Sequence, residues 1–265
     1  MTDGERSAQP TLAIGVDVGG SGIKVGVVDV ATGQLAAPRR RVVTPVPSTP
    51  QAIVKAIART VRLGIKDVGG LAPDVPVGIG VPCVVIAGVT KTAANIDPSW
   101  IDFDAEAALR SALKRRVVVL NDADAAGLAE MRFGAGIGEP GVVIVLTLGT
   151  GVGSGLFNDG VLVPNLELGH MEIRGRDAER RSAAVARTRR GLSWKAWAND
   201  LDEHLHAIDK LFWPNLLILG GGVSKAPERF IPRLTVRPRV LPASLRNDAG
   251  IVGAAMAAME RNQPS

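Results

Sequence analysis

An amide and two carboxylates stand together at Asn121-Asp122-Ala123-Asp124, directly after the apolar run Arg116–Leu120. An acid at the carboxyl end of a buried strand, where a helix begins, is a common position for a catalytic group in α/β folds. Asn and Asp also serve as helix N-caps, and capping alone would explain part of the cluster. A second cluster is Glu167-Leu168-Gly169-His170. Glu167 and His170 are three apart, close enough to converge on one small polar ligand. A metal is the weaker reading, because no second histidine or cysteine lies nearby. Asn95 sits in an aperiodic stretch from Pro82 to Trp100. Its amide suits a sugar hydroxyl or a simple turn.

Two glycine-rich turns could supply backbone N–H groups to an anion. They are Asp17-Val18-Gly19-Gly20-Ser21-Gly22-Ile23-Lys24 and Thr147-Leu148-Gly149-Thr150-Gly151-Val152-Gly153-Ser154. Each lies between two apolar runs rich in β-formers, so each reads as strand–turn–strand. Dinucleotide and P-loop sites instead need a helix after the glycines. One such turn in each half suggests a phosphate chain gripped from both sides of a cleft. Lys24 could face those phosphates or stay in solvent.

The elements that must hold these residues repeat in outline. Thr11–Val18, Ile23–Val30 and Arg39–Val43 read as strands. Pro50–Lys66 reads as a helix capped by Thr49. Pro76–Val81 and Arg116–Leu120 read as buried strands. The pattern restarts with strands at Val142–Thr147, Gly151–Phe157 and Val161–Val163. Helices are expected over Asp177–Arg190, Ser193–Phe212 and Asp248–Arg261, and short strands over Leu216–Leu219 and Arg239–Leu241. This implies two α/β domains, 1–122 and 123–265, around a cleft. The last helix, about 248–261, is free to pack back on the first domain.

Composition narrows the function classes. The chain has 265 residues, 46% hydrophobic, with 3% aromatics and no Tyr, so a base-stacking surface for single-stranded nucleic acid is hard to build. The single cysteine, Cys83, excludes an intrachain disulfide and a multi-cysteine zinc site. The polar stretch Met1–Pro10 lacks an apolar signal core, and no apolar run reaches membrane length. A cytoplasmic protein without membrane partners is expected. The net charge of +5 favours anionic partners. Arg174, Arg176, Arg180, Arg181, Arg187, Arg189 and Arg190 crowd one segment, which would equally suit a solvated helix face. His204 and His206 are two apart beside Asp202 and Glu203, and read as surface residues.

Taken in order, Asp17-x-Gly-Gly-Ser-x-Ile-Lys24, Asn121-Asp-Ala-Asp124, Leu148-Gly-Thr-Gly-x-Gly153, Glu167-x-Gly-His170 and Gly220-Gly-Gly-Val-Ser224 resemble the motifs of the ROK sugar kinases. The resemblance runs from about residue 12 to residue 257. It implies the two-domain, actin-like ATPase (ribonuclease H-like) fold with an inter-domain cleft. Most members carry a cysteine-rich zinc motif soon after the motif histidine. Here Glu172–Arg181 has no cysteine, so zinc is not expected. A zinc-free, arginine-rich chain is similar to the polyphosphate-using members.

The resemblance implies phosphoryl transfer to the 6-hydroxyl of glucose or a related hexose, with Asp122 as general base. Asn95, Asn121, Glu167, His170 and Glu179 would bind the sugar. Gly19, Gly20, Ser21, Lys24, Thr147, Gly149, Thr150 and Gly151 would hold phosphates. Asp17 would orient Mg²⁺ through water, and Gly220, Gly221 and Gly222 would border the adenine of ATP. Arg174, Arg176, Arg180 and Arg181 would guide a polyphosphate chain. The donor is then polyphosphate, ATP or both, and the protein a monomer or homodimer. An ATP-only hexokinase and an actin-like phosphohydrolase of polyphosphate or nucleotide are the alternatives. Sugar-sensing repressors of the family carry a DNA-binding domain ahead of the kinase-like fold. Asp17 stands too early for one, so nucleic acid is not an expected partner.

Overall fold

The computed structural model describes residues 11–261. The stretch Met1–Pro10 lies outside the described residues. β1 (Leu12–Gly19) and β2 (Gly22–Asp29) pair antiparallel around Gly20-Ser21, with Asp17 opposite Lys24. β3 (Gln34–Leu35) and β4 (Arg40–Val42) both pair with β2. α1 (Pro50–Asp67) starts where Thr49 accepts from the N–H of Ala52 and proline opens the first turn. β5 (Val77–Val81) is buried along its whole length and lies parallel to β1.

The stretch from Pro82 to Trp100 is less irregular than its sequence suggests. It contains the small hairpin of β6 (Val85–Ile86) and β7 (Val89–Thr90). Two-residue strands are too short to carry a period. Trp100 is buried, and its indole N–H donates to the carbonyl of Ser48. α2 (Ala105–Leu113), capped by Asp104, and β8 (Val117–Asn121) complete the first half. The first sheet runs β3-β2-β1-β5-β8, with β4 also on β2.

α3 (Asp122–Phe133) follows β8 without a loop. β9 (Val142–Leu148), β10 (Val152–Asn158) and β11 (Val161–Val163) form the second antiparallel meander. β12 (Glu172–Ile173) and β13 (Arg176–Asp177) form a small hairpin. The helix expected over Asp177–Arg190 is broken into α4 (Glu179–Ser182) and α5 (Ala184–Arg189), because Ala183 is extended, with ψ 150°. α6 (Trp194–Phe212) buries Trp197, Leu201, Leu205 and Ile208. β14 (Leu216–Gly221) and β15 (Arg239–Pro242) complete the second sheet, ordered β11-β10-β9-β14-β15.

The chain ends with α7 (Ala249–Glu260), which crosses back to the first sheet. Glycine makes that approach possible. A Cβ on Gly15 would lie 1.8 Å from the carbonyl oxygen of Ile251, and one on Gly78 would lie 1.7 Å from that of Ala254. On the other side Gly253 meets the carbonyl of Ala125 in α3 just as closely. α3 and α7 thus pack together beside the two sheets, and the first turn of each reaches the cleft. No helix among the described residues is long and apolar enough to cross a membrane.

Candidate active site

A cleft of about 380 Å³ is lined by both glycine turns, the start of α3, the Glu167–His170 turn, Glu179 and the Gly220–Gly222 segment. Asp17, Lys24, Asn95, Asn121, Thr147, Gly149, Thr150 and Gly151 line it as well. The residues come from distant stretches of chain; most sit at element ends, and Asn95 sits in the loop after β7. β1 and β9 deliver the two turns, β8 delivers Asn121 and α3 delivers Asp122.

The glycine turns work by leaving space. No glycine of the first turn, nor Gly149 or Gly151, has a left-handed φ. A Cβ on Gly22 would lie 2.6 Å from the Arg41 guanidinium, whose Nη2 donates to the carbonyl of Ser21. One on Gly151 would lie 2.5 Å from Oε2 of Glu179 and 3.1 Å from Nδ2 of Asn95. Gly20 and Gly149 have no atom within 4 Å of the Cβ position and leave their turns open.

Lys24 donates to Asp17 Oδ2 at 2.7 Å, which follows from their cross-strand pairing. Lys24 therefore lies in the cleft rather than in solvent. Oδ1 of Asp17 accepts no hydrogen bond among the described residues. A single carboxylate open to a cleft, without a protein cage, suits Mg²⁺, which binds through one or two carboxylates, water and substrate phosphates. Among the described residues no cluster of three or more His, Cys, Asp or Glu could hold a metal by itself.

Asn121 caps α3: its Oδ1 accepts from the N–H groups of Ala123 and Asp124 at 2.8 and 3.1 Å. Its Nδ2 donates to the carbonyl of Cys83 and, weakly, to Glu167 at 3.5 Å. Capping thus takes the amide oxygen and leaves Nδ2 to the Cys83 carbonyl and Glu167. Asp122 is the first helical residue. Burial pushes its carboxyl up to about 7, helped by the charges of Asp17, Glu167 and Asp124, against an opposing bond from the Ala123 N–H. Burial also raises Glu167. His170 lies 3.9 Å from Glu167 and 3.2 Å from Asp177. Glu179 accepts from the N–H of Val152 at 2.9 Å and so abuts the second glycine turn.

Two sequence expectations need correction. His204 is not a surface residue: it is 1% exposed, bonded to Ser182 Oγ at 2.9 Å and to the carbonyl of Leu168 at 3.0 Å. It braces α6 against the Glu167–His170 turn, and burial lowers its pKa. His206 is half exposed, as expected. The arginine segment is not one solvated face. Arg174 pairs with Glu203, Arg181 with Glu203 and Asp200, and Arg190 with Asp200, all on α6. Arg187 stacks 4.2 Å over Trp194. Arg174, Arg176, Arg180 and Arg181 do not line the cleft, and among them Arg176 and Arg180 make no ion pair within the described residues.

Sequence reasoning missed Arg246, Asn247 and Gly250, which do line the cleft. Arg246 has a left-handed backbone, φ 51°, in a turn whose Ser244 and Leu245 N–H groups donate to buried Glu130. No local signal marks that turn, because α3 and the chain's return toward α7 bring it there.

Comparison with known proteins agrees with this geometry. A polyphosphate glucokinase of Mycobacterium tuberculosis is 46% identical over 92% of this chain and 90% of its own length. The crystal structure of an inorganic polyphosphate/ATP-glucomannokinase from an Arthrobacter species matches with a TM-score of 0.92 and 48% identity, covering 95% of this chain and 99% of the other. A ROK family glucokinase from Streptomyces griseus, in complex with glucose and AMPPNP, matches with a TM-score of 0.81 and 27% identity, covering 94% and 99%. The two sheets and their cleft are the two-domain, actin-like ATPase fold. The ROK family model matches residues 13–184, from the first strand through the Glu167–His170 turn and Glu179. With that span and those relatives, this chain belongs to the ROK family.

Proposed function

We propose that the protein transfers a phosphoryl group from inorganic polyphosphate or ATP to the 6-hydroxyl of glucose. The observation that carries this is the convergence of both glycine turns, Asp122 and the Glu167–His170 turn on one cleft. The relatives' polyphosphate and glucokinase activities support it. Residues 1–122 and 123–265 are read as two domains that close over the substrates. The enzyme works in the cytoplasm as a monomer or homodimer.

Asn95, Asn121, Glu167, His170 and Glu179 bind the sugar and turn its 6-hydroxyl toward Asp122. Asp122 accepts the hydroxyl proton as the new O–P bond forms and the donor's bridging P–O bond breaks. N–H groups of Gly19, Gly20, Ser21, Thr150 and Gly151, with Lys24 and the Thr147 hydroxyl, stabilise charge on the transferred and leaving phosphates. The N–H of Gly149 is held by the carbonyl of Gly151 at 3.0 Å, and this glycine serves by leaving the phosphates room. Asp17 would hold Mg²⁺ through water, and the ion would neutralise phosphate charge. Gly220–Gly222 border the adenine when ATP is the donor. Polyphosphate and ATP, each tested with glucose, mannose and N-acetylated hexoses, distinguish this reading from an ATP-only hexokinase. Donor hydrolysis without any sugar phosphate formed would sink it.

Arg174, Arg176, Arg180 and Arg181 are proposed to guide polyphosphate toward the cleft. Arg174 and Arg181 already spend charge on α6, so Arg176 and Arg180 carry the greater effect. The double reversal Arg176→Glu/Arg180→Glu is expected to raise the polyphosphate KM roughly fivefold at low salt, less at high salt, and to leave the ATP KM alone. Equal rises for both donors, or none, would put the path elsewhere.

A further inference from the structure

Asn165 is left unassigned by this scheme, yet it joins three elements at the acceptor end of the cleft. Its backbone is left-handed, φ 64°, a conformation Asn tolerates better than most residues. Its side chain pairs with a backbone as a neighbouring strand would. Oδ1 accepts from the N–H of Val85 at 2.9 Å, and Nδ2 donates to the carbonyl of Val85 at 2.9 Å. Its own N–H donates to Asp124 Oδ2 at 2.8 Å. Asp124 is 1% exposed, and its second oxygen, Oδ1, is buried with no hydrogen-bond partner among the described residues. Val85 belongs to β6, beyond β5 of the first sheet. Asn165 follows β11 of the second. Asp124 lies in the first turn of α3.

The acceptor-side turn depends on this junction. Ser154 Oγ donates to the carbonyl of Leu166 at 2.6 Å and accepts from the N–H of Leu168 at 3.0 Å. The chain from Asn165 to Leu168 is therefore stiff, and Glu167 moves with Asn165. The direct link between the halves, Asn121 to Glu167, is at the 3.5 Å limit and weak. The amide of Asn165, with two well-formed bonds, is the stronger tie. It sets the distance from Glu167 and His170 on one side to Asn95 and Asn121 on the other.

We propose that Asn165, anchored on Asp124, is a positioning residue for the acceptor: its clamp on Val85 fixes the spacing between the two halves at which the sugar is recognised. This inference rests on the hexose-kinase reading. Neither Asn165 nor Val85 lines the cleft. The clamp is assigned to acceptor recognition, not to the donor, because Asn165 stands two residues before Glu167 on a chain held by Ser154 and adjoins neither glycine turn in sequence.

Asn165→Gly is the informative variant, because glycine accepts the left-handed backbone while removing the side chain and its two bonds to Val85. Hexose binding is read without donor, as a glucose-dependent shift in melting temperature, and then the KM values for hexose and donor are measured. Loss of two hydrogen bonds is expected to raise hexose Kd and KM about tenfold or more, with the donor KM within about twofold. Asp124→Asn keeps an oxygen for the Asn165 N–H and should stay close to wild type. Burial already pushes Asp124 up to about 7, so an uncharged group suits that position. Asp124→Ala should follow Asn165→Gly. Unchanged hexose binding in Asn165→Gly, or equal rises in both KM values, would overturn the proposal. Asp124→Asn behaving like Asp124→Ala would remove the anchor. A wild-type chain that binds glucose but phosphorylates no hexose would defeat the kinase reading and leave the clamp to be judged on binding alone.

Discussion

Asp122→Asn is expected to lower kcat by about 10²–10⁴-fold while glucose still binds. The amide keeps the size of the carboxylate and its place at the start of α3, but it cannot accept the hydroxyl proton. The pH profile supplies an independent signature. Burial, with the charges of Asp17, Glu167 and Asp124, pushes Asp122 up to about 7. The working form is the carboxylate, so wild-type kcat/KM should fall about tenfold per pH unit below that value. The residual activity of the variant should lack this limb. Stability should move the other way. The folded-state pKa lies above the ordinary 3.8, so the group opposes folding increasingly as pH rises from there through about 7. Asp122→Asn should therefore melt no lower than wild type at pH 8. Near-wild-type kcat would remove Asp122 from the base role. A melting temperature that falls in step with activity would instead make the loss structural.

The parts of the fold legible in the sequence are those set by local contacts. β1 and β2 follow from two β-forming runs around a four-residue glycine–serine turn, and α1 from Thr49 and Pro50. Most members of the candidate site were recognisable by residue type, but the distances between them were not. α2 was legible as well: Ala105, Ala108, Leu109, Ala112 and Leu113 follow helical spacing after the Asp104 cap, but the segment is short and mostly alanine, so its apolar face is faint. The break at Ala183 comes from outside the helix: Arg181 pairs with α6, and Ser182 bonds to His204. His204 itself was legible. Trp197, Leu201, His204, Leu205 and Ile208 follow helical spacing, and the acids beside the histidine disguised its place on the buried face. Arg246 and Asn247 were beyond reach, since their turn is held by Glu130 from another segment.

The other large effect is expected far from the chemistry, at Gly78→Ala. The new Cβ would fall 1.7 Å from the carbonyl oxygen of Ala254 and 2.3 Å from its carbon. Both are backbone atoms of α7, so no side-chain rotation relieves the overlap, and the helix must lift from β1 and β5. Overpacking in a rigid core costs about 1–3 kcal/mol, and a backbone clash belongs at or above the top of that range. A loss of about 3 kcal/mol lowers the melting temperature by about 6–12 °C in a domain of this size. The same displacement reaches the cleft. Gly250, in the first turn of α7, lies so close that its Cβ position is 3.0 Å from the carboxyl carbon of Asp17. Lifting α7 should therefore weaken the donor side first, raising donor KM below the melting range while hexose binding holds. Gly20→Ala is the contrasting case: nothing lies within 4 Å of its Cβ position, so its melting temperature should stay near wild type. The glycines at 15 and 78 thus carry a functional constraint through packing. They let a helix from the end of the chain lie on the first sheet and bring its first turn to the Asp17 carboxylate in the cleft. A Gly78→Ala protein that melts within about 2 °C of wild type would mean that α7 does not seat this closely.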